Sequence, residues 1–520
     1  MLLTKSLKKR LSRKEAEELQ QKHNSFLMFQ NILKWVDVFV YPFLVLFLPH
    51  TAQSQTSDFD AIYKTTLDLD FKKSSSLLKQ FPEVEIPFGH LYIANLNDVL
   101  ELIFSENEDR YNQLKQNEDT RLDLISDSED DSPYKDFVKG EIKLQWAFVK
   151  LKFGHTLSGV WSLRNAYKTV QDNIEKNPDF KLHYKTMGLL QVIFGAVPDN
   201  QQWILNVLGL EGDVQNGLAH LKSLSKESTP FSVEARLISS MIESYLLEEH
   251  DRALEGLNSN TSNHISMAEV YITSLILMKS HNAQAASQML KEAIERPEPS
   301  PLLFEYLLAE ALFQGGNYNE AKTHYLVYIN RFEGRNQLKD SRMKVAMCEY
   351  FLGKNISFKN YWEEAKQTKG ATSEADKNAD AILEAKSFPN FRLLQIRYAI
   401  DGGYYKLASR TINKIDTGKL KFDEVHELTY RKARLSHLTN SYDQALMLYN
   451  EVISNTEALS DSYFAPNSYL QMGYIKMEEN DNEQAKIYFN KVLEFRKHPY
   501  KNSLDSKAKI ALAAIDALND

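Results

Sequence analysis

Five alanines at the same place in a recurring pattern, Ala286, Ala321, Ala408, Ala445 and Ala485, constrain this chain more than any other feature. They lie 35, 87, 37 and 40 residues apart. Each is preceded by a short turn: His281-Asn282-Ala283, Gly316-Asn317-Tyr318, Gly403-Tyr404-Tyr405, Asn440-Ser441-Tyr442 and Asn480-Asp481-Asn482. Each is followed at helical spacing by a larger apolar residue: Leu290, Tyr325, Ile412, Tyr449 and Phe489. The gap of 87 leaves room for one divergent unit holding Ala346, Gly353 and Ala365. About six units therefore fill 265–520. A period of 30 to 45 residues marks a stack of supersecondary units, none able to bury its apolar face alone. With only 19 Gly and 14 Pro in 520 residues, about half of ordinary usage, turns are few and elements long. No segment alternates with period two over a useful length, so the expected class is all-α, a solenoid of antiparallel helix pairs.

The clearest unit, LLAEALFQGGNYNEAKTHYLVYI from Leu307 to Ile329, resembles the tetratricopeptide repeat. In that repeat small residues let two helices approach, and an aromatic wedges between neighbouring units. A second stretch has a different look: Gly188-Leu189-Leu190, Pro198, Trp203-Ile204-Leu205, Leu208 through Asp213 (LGLEGD), Gly217-Leu218 and Leu221. It is similar to the central motif of the family of the fungal inclusion body clearance protein and its animal tetratricopeptide relatives. Residues 140–170 look like that family's first large helical pair. Val197-Pro198 departs from the usual Leu-Pro, and Leu210 stands where Phe is usual. The resemblance covers roughly 60–520, its specific part about 188–221. It implies a helical scaffold with no catalytic residues to carry over. Physically, Gly209 and Gly212 permit tight or left-handed backbone and Asp213 suits an N-cap, so the segment reads as a structural corner rather than a ligand-gripping loop.

The amino terminus reads as an address. A basic arm (Lys5, Lys8, Lys9, Arg10, Arg13, Lys14) is followed after Lys34 by the apolar run Val38–Leu48, and then by Ala52-x-Ser54. Eleven apolar residues are too few for a spanning helix, which needs about 20, and fit the core of a secretory signal with a small-x-small cleavage site. Counted from Met1 the presequence is long, and the spacing fits a start at Met28. Asp37 weakens every membrane reading; an uncleaved anchor through residues 36–49 and a buried core helix are the alternatives. Removing 1–54 would turn the net charge from -8 to -12. An acidic body argues against a nucleic-acid binder, whose affinity rests on clustered Lys and Arg. The layout expected is 1–54 arm and signal-like segment, 55–118 N-terminal helices, 119–133 acidic loop, 134–264 the helical region with the Gly209–Asp213 corner, and 265–520 the repeats.

Motifs for chemistry are missing. The chain has no G-x-x-x-x-G-K-[S/T], no G-x-G-x-x-G and no G-x-S-x-G. His426-Glu427 opens like a zinc-protease helix, but Tyr430 occupies the second ligand's place, so the pair reads as a surface feature. Glu248-Glu249-His250-Asp251 reads as a solvated turn, and the acids between Asp119 and Ser132 lack the glycine of a calcium loop. The single cysteine, Cys348, sits in an apolar pattern and reads as a buried, inert thiol. No cofactor, metal or catalytic residue is assigned. The partner expected is a protein or peptide in the concave groove, with Asn317, Tyr361, Trp362, Arg397 and Tyr430 as candidate contacts and none assigned as a site. The function expected is a non-enzymatic exported scaffold in the periplasm or cell envelope. The alternative is a nutrient- or glycan-binding envelope protein, which loses ground because Gln55 stands where such lipoproteins carry their anchoring cysteine.

Overall fold

A computed structural model describes residues 57–197, 199–258, 265–370, 373–459 and 462–517. The basic arm, the Val38–Leu48 run, the proposed cleavage site and Pro198 lie outside the described residues. Among those described, the regular structure is α-helical apart from one 3-10 turn at Thr417–Lys419. No helix there is long and apolar enough to cross a membrane.

The chain begins with α1 (Asp58–Leu67), α2 (Phe71–Gln80), α3 (Gly89–Ser105), α4 (Glu108–Leu114) and α5 (Asn117–Asp127), packed on the long pair α6 (Pro133–Lys152) and α7 (Thr156–Lys176). The acidic stretch expected to be a loop from Asp119 to Ser132 is helical as far as Asp127. Acids in its first turn suit the positive end of the helix dipole, Ile125 is buried, and Glu118 pairs with Lys150 at 2.6 Å. Those contacts outweigh the charge density that marked it as loop.

The motif at 188–221 is a corner built on glycine. Helices α8 (His183–Gly195) and α10 (Val214–Leu224) pack against each other, while α9 (Asp199–Leu208) is carried between them. A Cβ on Gly217 would lie 2.5 Å from the Gly188 carbonyl oxygen, and one on Gly212 would lie 2.0 Å from the Gly195 amide nitrogen. Gly209 has φ +64°, and Asp213 caps α10 by accepting the Asn216 amide at 2.9 Å.

After α11 (Ser232–Tyr245) and α12 (His250–Asn258) come six helix pairs. They are α13/α14 (Met267–Lys279, Ala283–Ile294), α15/α16 (Leu302–Gln314, Tyr318–Arg331), α17/α18 (Leu338–Phe351, Asn355–Gln367), α20/α21 (Phe391–Asp401, Tyr405–Ile412), α22/α23 (Phe422–Leu438, Tyr442–Thr456) and α24/α25 (Phe464–Glu478, Asn482–Glu494). An additional helix, α19 (Glu374–Leu383), accounts for the long gap between Ala321 and Ala408, and α26 (Lys501–Ala517) closes the stack. The five register alanines, with Ala346 and Ala365, are fully buried where each second helix crosses its first. The same crossing appears at Gly473, where a Cβ would strike the Phe489 ring at 2.4 Å.

Some first helices of neighbouring pairs touch one another, as α11 does α13, α20 does α22 and α22 does α24, and no two second helices make a comparable contact. The stack therefore curves with its first helices inside and its second helices outside. It also doubles back. The α20–α21 turn returns to the α13–α14 turn, where the Ala283 amide donates to the Gly402 carbonyl at 3.2 Å and Gly403 (φ +79°) lies against His281. One large apolar cluster runs from Phe59 to Leu394, and three smaller ones hold the last three pairs.

Candidate functional site

What the curvature places on the inside is charge. Two distant parts of the chain meet at Glu248, in the α11–α12 turn, whose carboxylate lies 3.2 Å from Lys279 Nζ on α13, 2.8 Å from Lys507 Nζ on α26 and 3.6 Å from His250 Nε2. Burial raises its pKa, but Lys507 and Lys279 more than reverse this and hold the carboxyl well below its ordinary value. Glu248 has φ 60°, a left-handed backbone that costs a non-glycine residue about 1 kcal/mol, so the bridge is made from a strained position. The turn read as solvated is a cross-link between arms. Glu106 plays a parallel part at the end of α3, also with positive φ (50°): it pairs with Lys152 at 2.7 Å and accepts the Asn336 amide at 3.1 Å.

Further along, the first helices carry two sets of charges that differ in balance. The first is closed. Lys344 on α17 lies 2.6 Å from Glu310 and 2.8 Å from Asp340, with the Tyr398 ring beneath it at 5.6 Å. Tyr325 and Tyr306 donate to those carboxylates at 2.5 and 3.1 Å. Burial pulls the Lys344 ammonium down, and Asp340 and Glu310 more than offset it, so it stays charged. The second set is open. Arg431 on α22 binds Glu427 at 3.0 Å and donates to the Tyr463 hydroxyl at 3.1 Å, its guanidinium 5.3 Å over Tyr430. Arg397 reaches Asp401 only at 3.7 Å. Arg434, one helical turn beyond Arg431, donates to the Gln471 side-chain carbonyl and to His437 Nδ1 at 3.5 Å. No carboxylate among the described residues lies within 4.0 Å of it.

The expected contacts divide on this surface. Arg397 is on the inner face and partly exposed; Asn317 is exposed at the start of α16; Tyr361 is half-buried against the core. Trp362 and Tyr430 are core residues at 2% and 3% exposure, not groove contacts. Trp362 packs with Phe358, Phe388 and Phe391 where the stack turns back, and Tyr430 packs on Tyr449 and Phe464. His426 is likewise buried rather than on the surface, 4.3 Å from the Phe422 ring with Nε2 unpartnered. Glu248, Lys279, Arg431, Arg434 and Lys507 were not among the expected contacts; Glu248 meets Lys507 across distant parts of the chain, and Arg431 and Arg434 gather partners from their own helix and the next pair. Among the described residues no group of three or more His, Cys, Asp or Glu is placed to hold a metal. Cys348 is fully buried, and burial pushes its thiol pKa up.

Two stretches match models described as tetratricopeptide repeat, residues 305–334 and 466–498, which are the pairs α15/α16 and α24/α25. The chain thus carries tetratricopeptide repeats in a helical solenoid. Among curated proteins it is similar to "Regulatory protein RapD" of Bacillus subtilis (strain 168), with 27% identity over 112 residues, covering 20% of this chain and 32% of that protein. Among solved structures it is similar to the apo form of the quorum sensor NprR from B. thuringiensis at TM-score 0.28 and 9% identity, covering 84% of this chain and 97% of that one. It is similar also to the TPR domain of P58(IPK) at TM-score 0.20 and 12% identity, covering 82% and 98%.

Proposed function

We propose that the protein is a non-catalytic repeat scaffold that holds a protein or peptide partner against its inner face and acts outside the cytoplasm, in the periplasm or cell envelope. The observation that carries the first half is the partly exposed charge on the inside of the stack, above all Arg397 with Asp401 and Lys279 on first helices and Lys507 on the closing helix α26. Concave repeat surfaces of this kind recognise extended chains through a few polar contacts. The word "regulatory" in the name of the matched relative agrees with a binding rather than a catalytic role, although that match spans about a third of the relative. The corner at 188–221 supports kinship with the inclusion body clearance family at the level of fold. The signal-like segment 1–54 supports export; were it retained, membrane contact would run through residues 36–49 alone. A nutrient- or glycan-binding envelope role remains the second reading, less favoured because Gln55 stands where lipoproteins of that kind carry their anchoring cysteine.

The test is affinity capture from fractionated cells with wild type and with Arg397→Glu. A partner held by wild type and lost by the variant supports the proposal; a partner retained equally, or none in any fraction, refutes it. The amino-terminal residue of the native protein tests the address: Gln55 supports export, an intact Val38–Leu48 run in a soluble cytoplasmic protein removes it.

A further inference from the structure

Two of the chain's five tryptophans stand half out of the fold, on helices that touch. Trp161 on α7 is 50% exposed and Trp203 on α9 is 52% exposed, whereas Trp146 and Trp362 are core residues. An indole left in water forgoes the burial that stabilises a core. Each has an exposed aliphatic residue one turn away on its own helix, Leu157 before Trp161 and Val207, 72% exposed, after Trp203. The two helices meet at the end of α9, where Arg164 Nε donates to the Leu208 carbonyl at 2.9 Å and a Cβ on Gly209 would lie 3.9 Å from Lys168 Nζ. Buried Leu205 seats α9 by one side, and among the described residues no helix packs along it. This surface is also free of acid. From Thr156 to Gln171 and from Asn200 to Leu210 there is no Asp or Glu, in a chain with 70 acids to 62 bases. Leu157, Trp161, Arg164 and Lys168 instead form one helical stripe, apolar at its start and cationic at its end, with the Arg164 guanidinium 5.7 Å from the Trp161 ring. Both cations hydrogen-bond to neutral oxygens, Arg164 to Leu208 and Lys168 to Gln171 at 3.0 Å. Beside Trp203 the exposed residues are the uncharged amides Gln202 and Asn206. Acids return only at the rim, with Asp172 one turn past Lys168 and Glu211 beyond Gly209.

We propose that this face of α7 and α9 docks on an anionic lipid bilayer, with Trp161, Trp203, Leu157 and Val207 entering the boundary between headgroups and acyl chains while Arg164 and Lys168 meet the lipid phosphates. Indole suits that depth, because its ring is apolar and its N–H still finds a polar partner. An amphipathic surface of this kind binds through the apolar area it buries together with the attraction of its cations for anionic headgroups. The missing acids matter as much as the cations, since a carboxylate pressed against an anionic leaflet would oppose the contact. A second copy of the chain fits the face less well, because a two-fold contact would set the Arg164 and Lys168 of both copies against each other. The surface shares no residue with the charges of the inner face, so it is independent of what is held there. It goes beyond the reading above, in which only residues 36–49 reach a membrane, and since any anionic leaflet serves, it does not require export.

Vesicles test it with the tryptophans themselves as reporters. The full chain carrying Trp35→Phe keeps two buried and two half-exposed indoles. It is titrated with vesicles of equal parts phosphatidylglycerol and phosphatidylcholine whose acyl chains are brominated, so that an indole entering them loses its emission. Trp146 and Trp362 are shielded in the core, and the quenching expected at submillimolar lipid therefore reports Trp161 and Trp203. Val207→Asp and Leu157→Asp retain both reporters and should each raise the lipid concentration for half-quenching about tenfold or more. Lys168→Gln should raise it about threefold to fivefold, and vesicles of phosphatidylcholine alone by at least as much. Met447→Asp, at an exposed apolar residue on the outer helix α23, should change nothing. Comparing variants within one full-length chain cancels whatever residues 36–49 contribute, and circular dichroism checks that each variant is folded. The inference is overturned if the indoles stay unquenched at millimolar lipid, if folded Val207→Asp and Leu157→Asp are quenched as the parent is, if Met447→Asp weakens quenching as much as they do, or if neutral vesicles quench equally. It is overturned as well if sedimentation shows a dimer that Val207→Asp dissolves, because the face then belongs to a second copy.

Discussion

Replacing Glu248 by Gln should loosen the last helix of the stack without unfolding the rest. The carboxylate joins α26 to the α11–α12 turn and to α13 through two lysines whose side chains are 28% and 29% exposed. Fully exposed pairs contribute about 0.2–1 kcal/mol, and breaking a buried one costs about 3–5 kcal/mol. Partial exposure of all three groups places this bridge near the lower bound, at about 1–2 kcal/mol. Because α26 packs at the edge of the described stack, that energy is read locally, as amide hydrogen exchange in Lys501–Ala517 that is about 5–30 times faster, with α6 and α7 unchanged. The pH dependence follows from the depressed pKa: the stabilisation is fully present above the ordinary carboxylate pKa and is lost as pH falls through the lower folded value. The difference between wild type and Glu248→Gln should therefore shrink in acid. Glu248→Gly separates charge from backbone, since glycine relieves the left-handed strain while also losing the carboxylate. If Gln matches wild type at pH 7 while Gly protects α26, the conformation of the turn and not the ion pair holds the arms, and the reasoning is refuted.

Other changes probe the rest of the architecture. Gly403→Ala would put a Cβ 1.8 Å from the His281 carbonyl oxygen at a positive φ, so thermal unfolding should show a loss of more than about 2 kcal/mol. Lys185→Met should cost about 3–5 kcal/mol in denaturant unfolding, because Glu141, 2.7 Å from the ammonium, and Glu234 would lose their shared cation in the N-terminal core. Asp213→Ala removes the cap of α10 and should cost about 0.5–2 kcal/mol, seen as faster exchange at the corner. His183 is fully buried, with burial first and His220 second lowering its pKa to about 4. The unfolded chain takes up that proton first, so stability should fall as pH drops from about 6.5 toward 4, and His183→Phe should flatten the slope.

The repeats were legible because they are local. Ala321, Tyr325 and Tyr328 sit within one helix, and the small-to-large order alone states which face is buried. Asp213 and Gly209 could be read for the same reason, as backbone requirements of their own turn. Trp362 and Tyr430 could not be placed, since an aromatic residue suits the core and a binding face equally until the helix is rotated against its neighbours. The acids before Ser132 misled because one buried Ile125 and the Glu118–Lys150 pair decided between helix and loop. Glu248 and the arginine group were hidden for a different reason. Lys507 lies far from Glu248 in sequence, whereas the arginines pair with near neighbours, Arg397 with Asp401 and Arg431 with Glu427, and it is the packing of α20 against α22 that sets the arginines side by side.

The central claim is that partners meet the inner face. Its most direct test is a photo-crosslinking residue placed at Arg397 on inner helix α20 and, separately, at Asn490 on outer helix α25, in cells expressing the full chain. A discrete crosslinked partner is expected from position 397 and none from position 490. Adducts from position 490 alone would contradict it.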